Sequence, residues 1–209
     1  MIARILLFIK HRMPWLWIGV DWLNARLYSL LHQKNMEIQA DRAFREFALE
    51  GFCFRRLASA DLNALHELLR RQDAERLRFF SPHGFDPISL RKMLNNPAFL
   101  MFCASRNGSL VGYFFLRCFW NRKCFVGRLI DEPYEGQGIG RVMNQIMYHT
   151  AWWSGFRCFT SISRNNKWIM RAHAKNPHAT FVTELANDYQ LVEFLPVTGE
   201  NPSTAKQRQ

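Results

Sequence analysis

Three features are absent from the sequence, and each absence excludes a class of protein. The apolar stretch near the amino terminus never reaches the roughly 20 uncharged residues of a membrane-spanning helix, because Lys10, Arg12, Asp21 and Arg26 interrupt it. No small-residue cleavage site follows the short apolar run at residues 5–9, so we predict no signal peptide. The five cysteines are scattered without a Cys-x-x-Cys pair. This spacing argues against a zinc site or a disulfide framework and predicts a cytoplasmic protein with reduced thiols and no metal.

Acidic residues are scarce relative to basic ones. The chain has 28 Lys and Arg against 17 Asp and Glu, a net charge of +11. Residues 51–130 hold 13 of the basic and five of the acidic residues, so most of the surplus lies in the middle of the chain. Such a surplus suits coenzyme phosphates, a nucleotide-linked substrate, nucleic acid or an anionic membrane. A basic surface that is merely solvated is the alternative.

Size and composition predict one folded domain with an added arm. A chain of 209 residues that is 48% hydrophobic and 14% aromatic can bury a substantial core. We divide it into an amino-terminal arm and connector at residues 1–50, a main domain at residues 51–196 and a flexible polar tail at residues 197–209.

The arm has the composition of an amphipathic helix. Pro14 suits the first position of a helix that would run to about residue 32, followed by a charged connector at residues 34–50. Tryptophans and flanking basic residues are typical of a helix lying in a lipid interface, so residues 1–35 are a candidate for contact with the inner face of a membrane. Packing on the main domain or on a second subunit, as in a homodimer, is the alternative. The apolar positions are Trp15, Leu16, Trp17, Val20, Trp22, Leu23, Leu27 and Leu30.

Hydrophobic periodicity and turn residues predict alternating strands and helices after the arm. Ser59 is the predicted cap of a first helix, and Asn107-Gly108 and Asn187-Asp188 are the predicted turns of two hairpins. Further helices are predicted at residues 89–95 and 138–154. The predicted strands cover residues 51–57, 99–105, 110–120, 124–130, 156–163, 180–185 and 189–195.

The most informative stretch is residues 128–141, where an apolar strand runs through a turn into three alternate glycines and a helix. Glycines let successive backbone N–H groups approach one anion, and a helix amino terminus adds about half a positive charge. A Walker loop is excluded because Gly140 is followed by Arg141 and Val142, with no hydroxyl for a metal. A dinucleotide fingerprint is weakened because it needs a glycine where Arg141 stands. A glycine-rich turn without a ligand remains the alternative.

Residues 135–140, Glu-Gly-Gln-Gly-Ile-Gly, resemble the Arg/Gln-x-x-Gly-x-Gly/Ala motif of the GNAT N-acetyltransferase superfamily at every position but the first. The resemblance covers about residues 51–196 and implies an α/β fold (α+β), with a central mixed, mostly antiparallel sheet flanked by helices. It also implies transfer of an acetyl group from acetyl-CoA to an amine, in a gap where the strand at residues 156–163 splays from the motif strand. Glu135 brings a carboxylate near the expected phosphates. The basic residues expected to offset its charge are Arg141, Lys167, Arg171 and Lys175.

The resemblance assigns cosubstrate-binding roles along the motif. Backbone N–H groups near Leu129 and Ile130 would polarise the thioester carbonyl. Asn166 resembles the start of the superfamily's second signature and would hold the pantetheine arm or the strand opening. The pyrophosphate would be held by the segment Glu135, Gly136, Gln137, Gly138, Ile139, Gly140 and Arg141.

Proton-transfer roles are also implied by the resemblance. His173 stands where the superfamily has a tyrosine that gives a proton to the departing thiolate, and an imidazole has an ordinary pKa suited to this role near neutral pH. Asp131 and Glu132 are the first candidates to take the proton of the amine, and His83 and His149 are the second. A packing role for His173 and a solvated turn for the two carboxylates are the alternatives.

The acceptor is not encoded in any motif. His83 and Phe85, in an aromatic loop at residues 79–85, would line its pocket or serve as a plain hydrophobic anchor. The basic middle segment and the arm suggest an anionic amine, either a small molecule or an amino sugar on a nucleotide or lipid carrier. A protein or an aminoacyl-tRNA acceptor is the alternative within the enzyme class, and nucleic acid is not favoured. A coenzyme-binding module without catalysis is the alternative outside that class.

Overall fold

The computed structural model of the protein describes residues 14–197, with side chains from residue 18 onward. Expectations for residues 1–13, for the side chains of residues 14–17 and for the tail beyond residue 197 lie outside the described part. The helices are α1 (Pro14–Tyr28), a π-helical turn (Ser29–Gln33), α2 (Lys34–Glu46), α3 (Leu62–Arg70), α4 (Ala74–Leu77), α5 (Pro87–Leu94), α6 (Ile139–Trp153) and α7 (Lys167–Ala174). The strands are β1 (Cys53–Arg56), β2 (Phe99–Arg106), β3 (Ser109–Cys118), β4 (Lys123–Ile130), β5 (Arg157–Ser163), β6 (Ala179–Leu185) and β7 (Tyr189–Phe194).

The seven strands form one sheet in the order β1-β2-β3-β4-β5-β7-β6. Only β4 and β5 pair in parallel, and the other neighbours are antiparallel. This mixed sheet flanked by helices confirms the predicted fold class. The two predicted hairpin turns are confirmed as well, because Asn107 and Gly108 have φ values of 49° and 81°, and Asn187 and Asp188 have 59° and 60°. Two successive left-handed residues match the twist of the strands that they join.

Each face of the sheet carries its own hydrophobic core. Side chains alternate along β3, so Phe114 and Leu116 belong to the core shared with α2 and α6, whereas Tyr113 and Phe115 belong to the core shared with α3 and α5. The central strands β3 and β4 are therefore fixed from both sides.

Residues 34–46, predicted as part of a connector, form helix α2, so that prediction was wrong. α1, the π turn and α2 run as one continuous helix, because the backbone is helical at Tyr28 and at Lys34. A π turn contains one residue more than an α turn. The extra residue brings Tyr28 and Met36 onto the same side of the helix, and both are fully buried. Among the described residues, no helix has both the length and the apolar character needed to cross a membrane.

Two helix starts also differ from the prediction. Ser59 makes no capping hydrogen bond and instead opens a short 3-10 turn, Ser59–Asp61, that precedes α3. The carboxylate of Asp61 accepts the N–H of Ala58 at 2.8 Å and pairs with Arg55 at 2.6 Å, which fixes this turn to β1. α5 begins two residues before the predicted start, because the carboxylate of Asp86 caps it by accepting the N–H of Ser89 at 3.0 Å.

Candidate active site

The central strands β4 and β5 pair over a short length and then separate. Their parallel ladder joins Lys123 to Arg157, Cys124 to Cys158 and Phe125 to Phe159, and it ends there. Beyond this point β4 continues to pair with β3, and β5 continues to pair with β7. The two strands thus enclose the predicted opening, here called the β4–β5 cleft.

Backbone groups of β4 line this cleft in alternation. The N–H of Asp131 donates to the carbonyl of Val111 at 2.9 Å, so Asp131 faces β3. In an antiparallel ladder every second residue faces the same neighbour, which directs the N–H of Leu129 to β3 and those of Arg128 and Ile130 to the cleft. The pair of donors expected at Leu129 and Ile130 is therefore corrected to Arg128 and Ile130.

The glycine loop lies at the end of β4, next to the cleft. A 3-10 turn, Glu132–Tyr134, leads to Gly136 and Gly138, whose φ values of 73° and 84° fall in the left-handed region that favours glycine. Gly138 directly precedes α6. The N–H groups of Ile139 and Gly140, in the first turn of α6, donate no hydrogen bond within residues 14–197. The loop therefore presents free donors and the positive end of a 15-residue helix.

The carboxylate of Glu135 is paired with a residue that the sequence did not single out. Arg76, just before the end of α4, donates to Glu135 Oε1 at 2.6 Å and to the carbonyl of Ile130 at 2.9 Å. The cations predicted to offset Glu135 form no ion pair with it among the described residues. Those cations are Arg141, Lys167, Arg171 and Lys175. The pair with Arg76 removes the main electrostatic objection to an anion at this loop.

A second cation lies directly against the first turn of α6. Arg128 donates from Nε to Asn144 Oδ1 at 2.9 Å, and none of the described carboxylates forms an ion pair with it. A Cβ at Gly140 would stand 2.8 Å from Arg128 Nη1, so a side chain there would require the guanidinium to shift. Burial lowers the pKa of Arg128, and the nearby charge of Glu135 opposes this. An uncompensated cation beside a helix amino terminus produces a local field that attracts anions.

Neither a protein-family model nor a curated protein matches the sequence. Solved structures do match. An acetyltransferase of the GNAT family from Streptococcus pneumoniae aligns with a TM-score of 0.51 and 16% identity, over 69% of this chain and 99% of that one. The PaiA N-acetyltransferase from Thermoplasma acidophilum, solved in complex with coenzyme A, aligns with a TM-score of 0.58 and 16% identity, over 69% and 99%. YncA from Salmonella typhimurium, solved with acetyl-CoA, aligns with a TM-score of 0.52 and 15% identity, over 73% and 97%.

The chain has the GNAT fold. At these identities the likeness is one of architecture.

Within this GNAT fold, the second predicted signature forms the helix that the sequence indicated. Asn166 caps α7, because its Oδ1 accepts the N–H of Ile169 at 3.2 Å. His173 lies in the last turn of α7, with its ring centroid 5.4 Å from that of Phe194. Its Nδ1 is buried and has no hydrogen-bond partner within residues 14–197. Burial, aided by the charge of Arg128, lowers the pKa of His173 to about 4. This pKa lies below the ordinary value on which the expected role near neutral pH was based.

The two candidate carboxylates of the turn have different surroundings. Asp131 is buried and accepts hydrogen bonds from Arg71 at 2.6 and 3.2 Å and from Gln72 at 2.7 Å, which ties the loop to the end of α3. Glu132 is exposed. Both line a cavity of about 220 Å³ together with Arg71, Gln72 and Pro133. Gln72 Oε1 is buried without a partner among the described residues.

The other predicted site residues are held by packing. His83 Nε2 lies 2.8 Å from the hydroxyl of Tyr113, and the ring sits 5.6 Å from Phe85 in an aromatic cluster of the second core. Burial lowers the pKa of His83. These contacts favour the anchoring alternative for His83 and Phe85. His149 lies on α6, 4.5 Å from the ring of Phe47, and faces the amino-terminal helix rather than the cleft.

Sequence reasoning missed Arg76 and Arg128. Arg76 is 59 positions from its partner, and no local pattern predicts such a pair. Arg128 carried a usable signal, because a charged residue between Val126 and Ile130, at the period of a strand, falls on a face that is otherwise apolar.

Proposed function

We propose that the protein is an acetyl-CoA-dependent N-acetyltransferase. The observation that carries this proposal is the juxtaposition of the β4–β5 cleft with a glycine loop whose helix N–H groups are free. Two proteins of the same fold, PaiA and YncA, are solved with coenzyme A or acetyl-CoA. In this protein the glycine loop offers an anion site, and the β4–β5 cleft offers a groove next to it.

The cosubstrate would be held from the glycine loop into the cleft. We assign the pyrophosphate to residues 135–141, with the N–H groups of Ile139 and Gly140 as donors and Arg128, which pairs with none of the described carboxylates, as a neighbouring cation. The thioester carbonyl would be polarised by cleft-facing N–H groups of β4, those of Arg128 and Ile130. Asn166 would keep α7 at the edge of the opening.

Proton transfer is assigned to residues at the two ends of the cleft. The attacking amine must lose a proton as its nitrogen bonds to the acetyl carbon and the carbon–sulfur bond breaks. Because Asp131 is engaged by Arg71 and Gln72, we propose exposed Glu132 as the base and Asp131 as a residue that positions the loop. His173, neutral above about pH 4, would give the departing sulfur a hydrogen bond.

We propose an anionic amine as the acceptor, with an amino sugar on a nucleotide or lipid carrier as the first class to test. The support is the surplus of basic residues between positions 51 and 130. The five cysteines are all free, which supports a cytoplasmic location, at the inner face of the membrane for a carrier-linked acceptor. A protein or aminoacyl-tRNA acceptor would be recognised by the same surplus of charge.

Thermal stabilisation and thiol release test the proposal together. Acetyl-CoA should raise the melting temperature, and free thiol should appear when acetyl-CoA is mixed with amino-sugar nucleotides. Stabilisation without thiol release from any amine, including peptides and aminoacyl-tRNA, would identify a coenzyme-binding module instead. A melting temperature that acetyl-CoA does not change would refute the coenzyme site itself.

A further inference from the structure

Helix α1 is fixed to the sheet along one side only. Asn24 donates to the carbonyl of Cys118 at 3.1 Å and accepts the N–H of Trp120 at 3.1 Å. Asp21 pairs with Arg117 at 3.1 Å. These contacts and the buried ring of Tyr28 hold one side of the helix, so its other side cannot turn inward.

The opposite side of α1 and of the π turn that follows it exposes large apolar side chains. Leu30 is 83% exposed, Ile18 61%, Leu31 60%, Trp22 59% and Leu23 52%. We call these residues, together with Arg26, the outer face. Isolated exposed apolar residues are ordinary, but a group of this size on one helix is typical of an interaction surface.

The charged residue of the outer face, Arg26, is basic. The guanidinium of Arg26 lies 5.5 Å from the centroid of the Trp22 ring. Residues 1–34 contain five Lys and Arg and a single acid, Asp21, which Arg117 already neutralises. A second copy of this face would bring together two positive surfaces. Apolar and aromatic side chains with a basic fringe match the chemistry of an anionic lipid interface.

We propose that the outer face docks the protein on an anionic lipid bilayer, with α1 lying in the plane of the interface. Docking leaves the glycine loop accessible. α1 contacts the sheet at Cys118 and Trp120, next to the start of β4, whereas the loop follows the end of that eight-residue strand. A strand of this length spans about 25 Å. The proposal does not depend on acetyl transfer.

Vesicle flotation of the full chain tests the docking. Binding should be strong to vesicles of phosphatidylcholine with about one third phosphatidylglycerol, weak to phosphatidylcholine alone, and reduced as salt rises from about 0.1 M to about 1 M. The outer-face variant Ile18→Ser/Trp22→Ser/Leu30→Ser should lose about tenfold in partitioning, because it removes apolar area that the lipid would cover.

A matched variant controls for general loss of surface hydrophobicity. Ile88 and Val182 are exposed apolar residues far from α1 in the chain, so Ile88→Ser/Val182→Ser should float as the parent protein does. Equal partitioning of the outer-face and control variants would overturn the proposal, as would failure of the full chain to bind anionic vesicles. Self-association that the outer-face variant abolishes, without vesicle binding, would assign the surface to a second copy and overturn it too.

Discussion

Arg76 and Glu135 together decide the sign of the field at the glycine loop. Glu135 alone would repel phosphates from the first turn of α6, but its carboxylate lies 2.6 Å from a guanidinium. Arg128 then remains as the cation without a carboxylate partner among the described residues. Glu135, an acid where the superfamily motif has Arg or Gln, is therefore compatible with an anion site at this loop.

Removal of Arg76 should weaken coenzyme binding by about threefold to tenfold, because it unmasks Glu135 at a cost of about 1 kcal/mol. Isothermal titration of Arg76→Ala with coenzyme A measures this change. The double variant Arg76→Ala/Glu135→Gln should regain most of the lost affinity, and Arg78→Ala, which breaks an exposed pair with Glu75, is the matched control. A double variant as weak as Arg76→Ala would show that the loss comes from the bond to Ile130 instead.

His173 should make the protein less stable in mild acid. Its pKa is about 4 in the folded protein, against an ordinary value of 6.5, so the unfolded chain binds the proton more readily. The loss of unfolding free energy caused by His173 is absent above about pH 6.5. It grows as the pH falls towards 4, to on the order of 3 kcal/mol.

Urea unfolding at about pH 7.5 and about pH 4.5 tests this prediction. His173→Gln should lose less stability between the two pH values than the parent protein, since glutamine does not titrate. Equal losses in both proteins would mean that other groups carry the acid sensitivity.

The first turn of α6 both packs against Arg128 and presents free N–H groups. Gly140 must leave room for Arg128, and the same turn must keep its N–H groups free for a ligand. A side chain at position 140 would displace the guanidinium. The motif glycine thus serves the packing of β4 against α6, and in the proposed function it would also leave room for an anion.

Gly140→Ala should lower the free energy of unfolding by about 1–3 kcal/mol through overpacking against Arg128. Arg128→Ala in the same chain should restore stability but not coenzyme binding, because it removes the cation as well as the clash. Chemical denaturation and coenzyme titration separate the two effects. Gly19→Ala, in α1 with open space around its Cβ, is the control and should be neutral or slightly stabilising.

Elements with strong local signals could be predicted from the sequence. Asn107-Gly108 correctly predicted a hairpin, and the alternate glycines correctly predicted the succession of strand, loop and helix around residue 138. α2 was missed because two of its three buried residues are alanines, Ala40 and Ala43, among charged neighbours. The part of the candidate site that is contiguous in sequence, the glycine loop, could be predicted. The ion pairs of the site could not be predicted, because Arg71 and Arg76 reach Asp131 and Glu135 only after the chain has folded.

The whole molecule is organised as one unit in which the amino-terminal helix takes part in the core. The π turn sets α1 and α2 in register, so that Tyr28, Met36, Ala40 and Ala43 are all fully buried against the first core. The predicted boundary at residue 50 therefore lies within a continuous packing arrangement. The β4–β5 cleft and the outer face therefore belong to one packed unit.

Tyr28→Ala should destabilise the entire protein, because a fully buried aromatic ring at the junction of α1 and the sheet costs about 3–5 kcal/mol to remove. Unfolding should remain a single transition, with the same midpoint by tryptophan fluorescence and by far-ultraviolet circular dichroism. Trp22→Ala on the same helix is the matched control and should change stability by less than about 0.5 kcal/mol, because its side chain is 59% exposed. If Tyr28→Ala split the unfolding into two transitions, the arm would be an independent unit. A single shifted transition would instead mean that α1 and the sheet unfold together.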